Sequence, residues 1–425
     1  MSAPVLAIDY GTSNSLVAGA LAGKVIQPLV LDATADDPTV IRSIMFTPDR
    51  GVWYYGDSAI QQYQDYAAGG RLLRSVKKYL PEPSFKGTQL HGEFRSIVEL
   101  IAIFLRELRS RAAVIFGEES SSVVLGRPAL FSLNKDDDVL AEKRLRDAAN
   151  LAGFKHVYFL AEPLAAAYEF RHQLTEEKIV LVADFGGGTS DFTCLKMGPR
   201  DLVDQDVLSI GGIPIAGDMF DGGIMRHQIA RHFGSEVRYR MPMSSTDLEL
   251  PKSLISKMCS PADMSLLARN DLLGILKDAQ RWSLSEEDGK KMNRLFLVVE
   301  EHLGYSLFRS IERAKISLSS AAETIFEFAF DDLKLSEKIS AIEFEKHSSH
   351  DVDLIVGAMD STIKDAGLKY SQIDVVCATG GTAKLPALRR ALDTRLGREK
   401  VREHRHFHSV VGGLAEKAKS FSSDS

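Results

Sequence analysis

The segment LVADFGGGTSDFTCLK, residues 181–196, runs an apolar strand into Asp184, then through an aromatic residue, three glycines and two hydroxyl side chains into a second strand. Such a stretch reads as a hairpin whose tip offers backbone more than side chain. Glycine tolerates unusual φ and lets a ligand approach the main chain, so Gly186, Gly187 and Gly188 can aim several N–H donors at one anion. The hydroxyls of Thr189 and Ser190 would supplement them. Residues 6–21, LAIDYGTSNSLVAGAL, repeat the pattern with Asp9, Gly11, Thr12 and Ser13. Two copies of one hairpin imply a duplicated lobe with a cleft between the copies, in which Asp9 and Asp184 face each other.

Two facing tips would grip an oligophosphate from both sides, unlike the single strand-to-helix loop of Walker proteins, whose GxxxxGK[ST] motif the chain lacks. Aspartates beside a polyphosphate repel it unless a cation intervenes. Mg²⁺ is held through carboxylates, phosphate oxygens and its own waters, so Asp9, Asp184 and Asp191 suggest a metal-nucleotide site. For either hairpin alone, the reading that these aspartates merely end strands and satisfy turns stands level with it.

Outward from the hairpins, the β-branched runs 5–11, 122–128, 179–188 and 374–381 each end in Gly or Pro and read as buried strands. Helical patterns lie between them at 96–116 and 137–154, and AEPLAAAYEF (161–170) places Pro163 in a first turn. This alternation is that of an α/β protein. Region 222–305 reads as an inserted helical subdomain with no chemical signature, and the tail SFSSDS (420–425) as a frayed end.

Composition excludes several classes. With 44% hydrophobic and 26% charged residues the chain is an ordinary globular sequence, and its net charge of −6 argues against nucleic-acid binding by bulk electrostatics. Cys194, Cys259 and Cys377 are widely spaced, which fits neither a disulfide framework nor a zinc site and suits a reducing cytoplasm. A start without basic residues and the lack of a long apolar run point away from secretion and from membranes.

IDYGTSNS, AEPLAAA, ADFGGGTSDF, AGDMFD, ERAKISLS and ATGGTAKLPAL occur in the order and character of the motifs of DnaK-type heat-shock chaperones, the heat-shock-protein-70 family. The resemblance spans most of the chain apart from roughly 222–305. It implies the actin-like ATPase fold, with duplicated ribonuclease-H-like lobes around a nucleotide cleft: lobe I at 1–175, lobe II at 176–404, and a helix at 405–425 returning to lobe I. By the same resemblance, Asp9 and Asp184 lie near Mg²⁺, Glu162 holds Mg²⁺-bound water, and Asp191 and Thr189 order the attacking water. Gly11, Thr12 and Ser13 match one phosphate loop and Gly186, Gly187 and Gly188 the other. Lys77 resembles the lysine that contacts the phosphates, with Lys78 beside it as a rival. Gly217, Glu312, Lys315, Ser319, Gly380, Gly381 and Lys384 match the nucleoside side, Glu312 and Lys315 at the ribose.

Departures from the family pattern matter as much. Ile316 and Lys384 stand where arginines commonly stack on adenine, and Asn14 replaces an aromatic. No apolar acidic linker or peptide-binding β-sandwich follows 409–418, which resembles the short DnaK relatives of the YegD type. The expected activity is slow hydrolysis of ATP with Mg²⁺ in a chaperone-like switch that meets an adenine nucleotide and a co-chaperone or client protein. Two alternatives share the fold: a sugar-type small-molecule kinase, and a non-hydrolysing nucleotide sensor or actin-like scaffold.

Overall fold

A computed structural model describes residues 3–422 apart from 34, 36, 67–69, 172–173, 201–203 and 404–408. The chain divides into two compact units, the first made of Met1–Ala216, Asp353–Lys384 and Leu388–Ser425, the second of Gly217–Val352 and Leu385–Ala387.

In the first unit the two hairpins expected from the repeat seed two sheets. Val5–Tyr10 pairs antiparallel with Asn14–Leu21 and parallel, on its other side, with Ser122–Arg127, beyond which lies His156–Ala161. Lys178–Phe185 likewise pairs antiparallel with Ser190–Met197 and parallel with Val375–Thr379. Parallel neighbours need crossovers, and helices supply them. Ile97–Phe116 starts from Ser96 in a reciprocal capping box with Glu99 and stops at Gly117 in the left-handed conformation. Lys135–Leu151 starts from Asn134, whose side chain caps two N–H groups ahead of three aspartates in the first turn. These two helices cover the outer face of the first sheet, around Leu105, Leu108, Leu145 and Ala148.

The inner faces of both sheets share a second apolar core with the helices Glu162–Phe170 and Ser409–Ser422. Ala165, Ala166 and Ala167 are buried there, which is why the stretch is alanine-rich: small side chains let the helices approach closely. Gly413 shows how closely, because a Cβ there would fall on the carbonyl of Ala165. Contrary to the expectation of a fraying tail, Ser420, Phe421 and Ser422 complete the last helix. The Phe421 ring stacks on Tyr158 at 3.9 Å and Ser422 accepts the Gly23 N–H, so burial of an aromatic ring outweighs end fraying. Residues 423–425 lie outside the described residues.

The second unit is mainly helical, with Lys252–Met258, Asn270–Arg281, Glu286–Glu300 and Gly304–Leu318 around buried Leu254, Leu276, Leu295, Phe308 and Ile311. Region 222–305 is not wholly helical, since Arg238–Tyr239 pairs with Leu248–Glu249. A hairpin of Glu323–Phe330 and Leu333–Ser340 completes the unit. The three cysteines are buried, and none of them is in a disulfide. Among the described residues no helix is long and apolar enough to cross a membrane.

Candidate functional site

Strand ends assemble the acidic cluster. Asp9 and Asp184 are each the penultimate residue of a first hairpin strand, and Asp191 stands directly across the second hairpin from Asp184. Asp184 Oδ1 accepts the hydroxyl of Thr379, the last residue of the neighbouring parallel strand, at 2.8 Å. Asp191, fully buried, accepts the Ala129 N–H at 2.8 Å and the Thr189 hydroxyl. Leu16 holds the equivalent register position in the first hairpin, so the two hairpins differ there by an apolar side chain against a carboxylate.

Glu162 opens its helix, and its Oε1 receives the Lys77 ammonium at 2.7 Å, the two side chains being 12% and 7% exposed. Lys77 belongs to the 3₁₀ turn Val76–Tyr79, entered through Ser75 in the left-handed conformation at φ 53°. That turn buries Lys77 and exposes Lys78, so of the two lysines it is Lys77 that meets the acidic cluster. Gly126 makes room: a Cβ there would lie 3.3 Å from Glu162 Cγ and 3.7 Å from Asp9 Cα.

The field in this cluster is strongly negative. Burial, and then the charge of Glu162, push Asp191 up to about 8 and Asp184 up to about 6. Asp9 is raised by the same two causes, with Lys77 opposing and Asp184 adding. An ordinary aspartate titrates near 4. Carboxylates held this far up lack a counter-charge that a cation would supply. No three His, Cys, Asp or Glu side chains among the described residues lie close enough to hold a metal directly. Hard oxygen donors at wider spacing fit a cation that keeps its waters, as Mg²⁺ does.

The hairpin tips meet over this cluster. A Cβ on Gly188 would lie 3.2 Å from Thr12 Oγ1. Gly11 and Ser13 are anchored by Ser43, which donates its hydroxyl to the Gly11 carbonyl at 2.7 Å and its N–H to the Ser13 carbonyl at 2.9 Å. Gly186 is held through its carbonyl by the Thr382 hydroxyl at 3.1 Å. Neither Gly186 nor Gly188 takes a positive φ, so turn geometry requires glycine at neither; at Gly188 the absent side chain serves close approach to Thr12. Gly380 does need its φ of 85°, and a Cβ there would strike the Phe185 backbone. Gly381 and Lys384 follow in a 3₁₀ turn that leaves both exposed.

Gly217, Glu312, Lys315 and Ser319 belong to the second unit. Gly217 begins the helix Gly217–Ile224, and Lys315 donates to its carbonyl at 3.2 Å and to Asp221 Oδ2 at 2.9 Å. Glu312 is exposed, as is Ile316 at 61%. Ser319 caps the C-terminus of Gly304–Leu318 and donates its hydroxyl to the Lys315 carbonyl at 3.4 Å. Sequence reasoning missed Ser43, Gly126, Thr379, Thr382 and Asp221. Asp221, Thr379 and Thr382 carried a local signal, lying inside the AGDMFD and ATGGTAKLPAL motifs without a role attached to them.

A profile of the Hsp70 protein family matches residues 82–250 and 287–423, well over half of the chain. The chain belongs to the Hsp70 family. The two main sheets of its first unit, each with a hairpin and parallel strands, are accordingly those of the actin-like ATPase fold of Hsp70 proteins, and the family carries ATP binding and chaperone-like ATPase activity. The Hsp70 match includes Glu162, Asp184, Asp191, Lys315 and Gly380. Asp9 and Lys77 precede it, and their place rests on the structure. Between its two segments the match skips residues 251–286.

Proposed function

We propose that this Hsp70-family protein binds ATP with Mg²⁺ and hydrolyses it slowly, as a chaperone-like switch. The observation that carries the reading is the cluster of Asp9, Asp184 and Asp191, whose carboxyl pKa values are raised, beside Glu162 and the buried ammonium of Lys77 that pairs with it. A divalent cation, held by Asp9, Asp184 and Glu162 partly through water, would neutralise charge on the phosphates when bound.

The chain's own groups divide the remaining work. Backbone N–H groups of Gly11, Thr12, Ser13 and Gly186 to Gly188, with the Thr12 hydroxyl, bind phosphate oxygens. Lys77 stabilises charge that develops on the transferred phosphoryl group, and its pairing with Glu162 keeps it aimed. Thr189 and Asp191 orient the attacking water, and Asp191, raised by burial, holds a proton more readily than an exposed aspartate. Gly217, Glu312, Lys315, Ser319, Gly380, Gly381 and Lys384 serve the nucleoside, a role that rests on their match to the family motifs. Exposed Ile316 offers no guanidinium to stack on adenine, which weakens nucleoside binding by about 1 kcal/mol. The same reading places the protein in the cytoplasm, in the YegD-like branch, with a co-chaperone or client as partner.

Single-turnover hydrolysis of ATP with Mg²⁺, with nucleotide binding followed in the same samples, tests it. Wild type releases phosphate, and Asp184→Asn binds nucleotide more weakly and loses turnover by about 10²-fold. Tight binding without phosphate release in wild type would overturn the ATPase reading in favour of a sensor, and label transferred to added sugars would favour a kinase.

A further inference from the structure

Thr379 ends the strand Val375–Thr379, whose other residues, Val375, Val376, Cys377 and Ala378, are apolar. It is 2% exposed, and a buried hydroxyl costs stability unless it is hydrogen-bonded. Valine has a similar shape without that cost, so packing gives no reason for threonine here. Its partner gives one: the hydroxyl donates to Asp184 Oδ1 at 2.8 Å, from directly across the parallel pair. The Phe185 N–H bonds to the same carboxylate, so two donors hold it in place. The first sheet treats its own aspartate differently. There Ile8 lies against Leu125, and the next residue, Gly126, stands beside Asp9, where a Cβ would lie 3.7 Å from Asp9 Cα. Asp184 thus receives a side-chain donor from the position at which Asp9 meets a glycine. All of these residues belong to the first unit.

These bonds limit what Asp184 can offer a cation. With Oδ1 engaged and its plane held, the carboxylate is a directed acceptor and resists capture through both oxygens at once. Ca²⁺ is large, has flexible coordination and takes carboxylates through one oxygen or two, whereas Mg²⁺ demands near-octahedral geometry and keeps several of its waters. A directed acceptor suits the hydrated octahedral ion and works against the larger one.

We propose that Thr379 is a positioning residue whose hydroxyl fixes the Asp184 carboxylate and thereby makes the site prefer Mg²⁺ to Ca²⁺. The inference rests on the cation-nucleotide reading above. Its test is the thermal midpoint of the full chain with saturating ADP, titrated with Mg²⁺ or Ca²⁺, for wild type, Thr379→Val and Thr379→Ser, with a metal-free series in EDTA as reference. Wild type needs about tenfold more Ca²⁺ than Mg²⁺ for half-maximal stabilisation. Thr379→Val narrows that gap to within about twofold by weakening the response to Mg²⁺, the scale of one lost hydrogen bond to a charged group. Thr379→Ser keeps the hydroxyl and most of the gap, and metal-free ADP stabilises all three proteins alike. A wild type without the gap, a folded Thr379→Val that keeps it, or a Thr379→Val that weakens both cations equally would overturn the inference. So would a Thr379→Ser that behaves like Thr379→Val. If ADP stabilises wild type and neither cation adds to it, the role of Thr379 fails and nucleotide binding stands. If ADP stabilises wild type under none of these conditions, the nucleotide reading itself has failed, and the inference with it.

Discussion

Lys77 and Lys78 are chemically identical neighbours with opposite surroundings, and the left-handed Ser75 before them decides which one turns inward. Two adjacent lysines carry no local sign of that choice, because the turn is imposed by packing around them. The aspartates are a different case: Asp9, Asp184 and Asp191 were legible because glycine-rich hairpin tips flank them in a repeated pattern. A buried Lys77–Glu162 pair also allows structure and catalysis to be separated. Lys77→Met leaves Glu162 unpaired and destabilises the protein by about 3–5 kcal/mol, and Lys77→Met with Glu162→Gln recovers most of that loss. Thermal unfolding will show the recovery, yet single-turnover hydrolysis remains at least about 10²-fold below wild type in both variants. Turnover returning together with stability in the double variant would make Lys77 a structural residue only.

Elements were read from sequence where their signals are local. Hairpins follow from their apolar strands and glycine-rich turns, and Ile97–Phe116 from its periodicity. What sequence could not supply is close approach between distant segments. Gly413 and Ala165 lie far apart along the chain, and nothing near either one announces that their backbones touch. The same blindness hid Gly126 beside Glu162 and the docking of Phe421 on Tyr158. Gly413→Ala must push two helices apart and costs about 3 kcal/mol or more, at the upper end for overpacking. Gly357→Ala, in the open on the helix Ala341–Asp365, gains up to about 1 kcal/mol from helix propensity. Urea melts of the two variants give both signs. Equal effects would mean that the helices do not meet as closely as described.

For the whole molecule, the acidic cluster makes stability depend on pH in a definite direction. The folded protein holds protons on Asp184 and Asp191 up to about 6 and about 8, whereas the unfolded chain releases them near 4. The folded state therefore binds more protons across that window, and stability is lost as pH rises from about 4 towards about 8. A bound cation with its nucleotide supplies the missing counter-charge and removes this loss. The decisive measurement is the thermal midpoint of wild type and Asp191→Asn between pH 5 and pH 8, with and without ATP and Mg²⁺. The midpoint of ligand-free wild type should fall with rising pH more steeply than that of Asp191→Asn, and stabilisation by ATP with Mg²⁺ should grow over the same range. Equal slopes in the two proteins, with the same stabilisation at pH 5 and pH 8, would contradict a cation-nucleotide site built on these carboxylates.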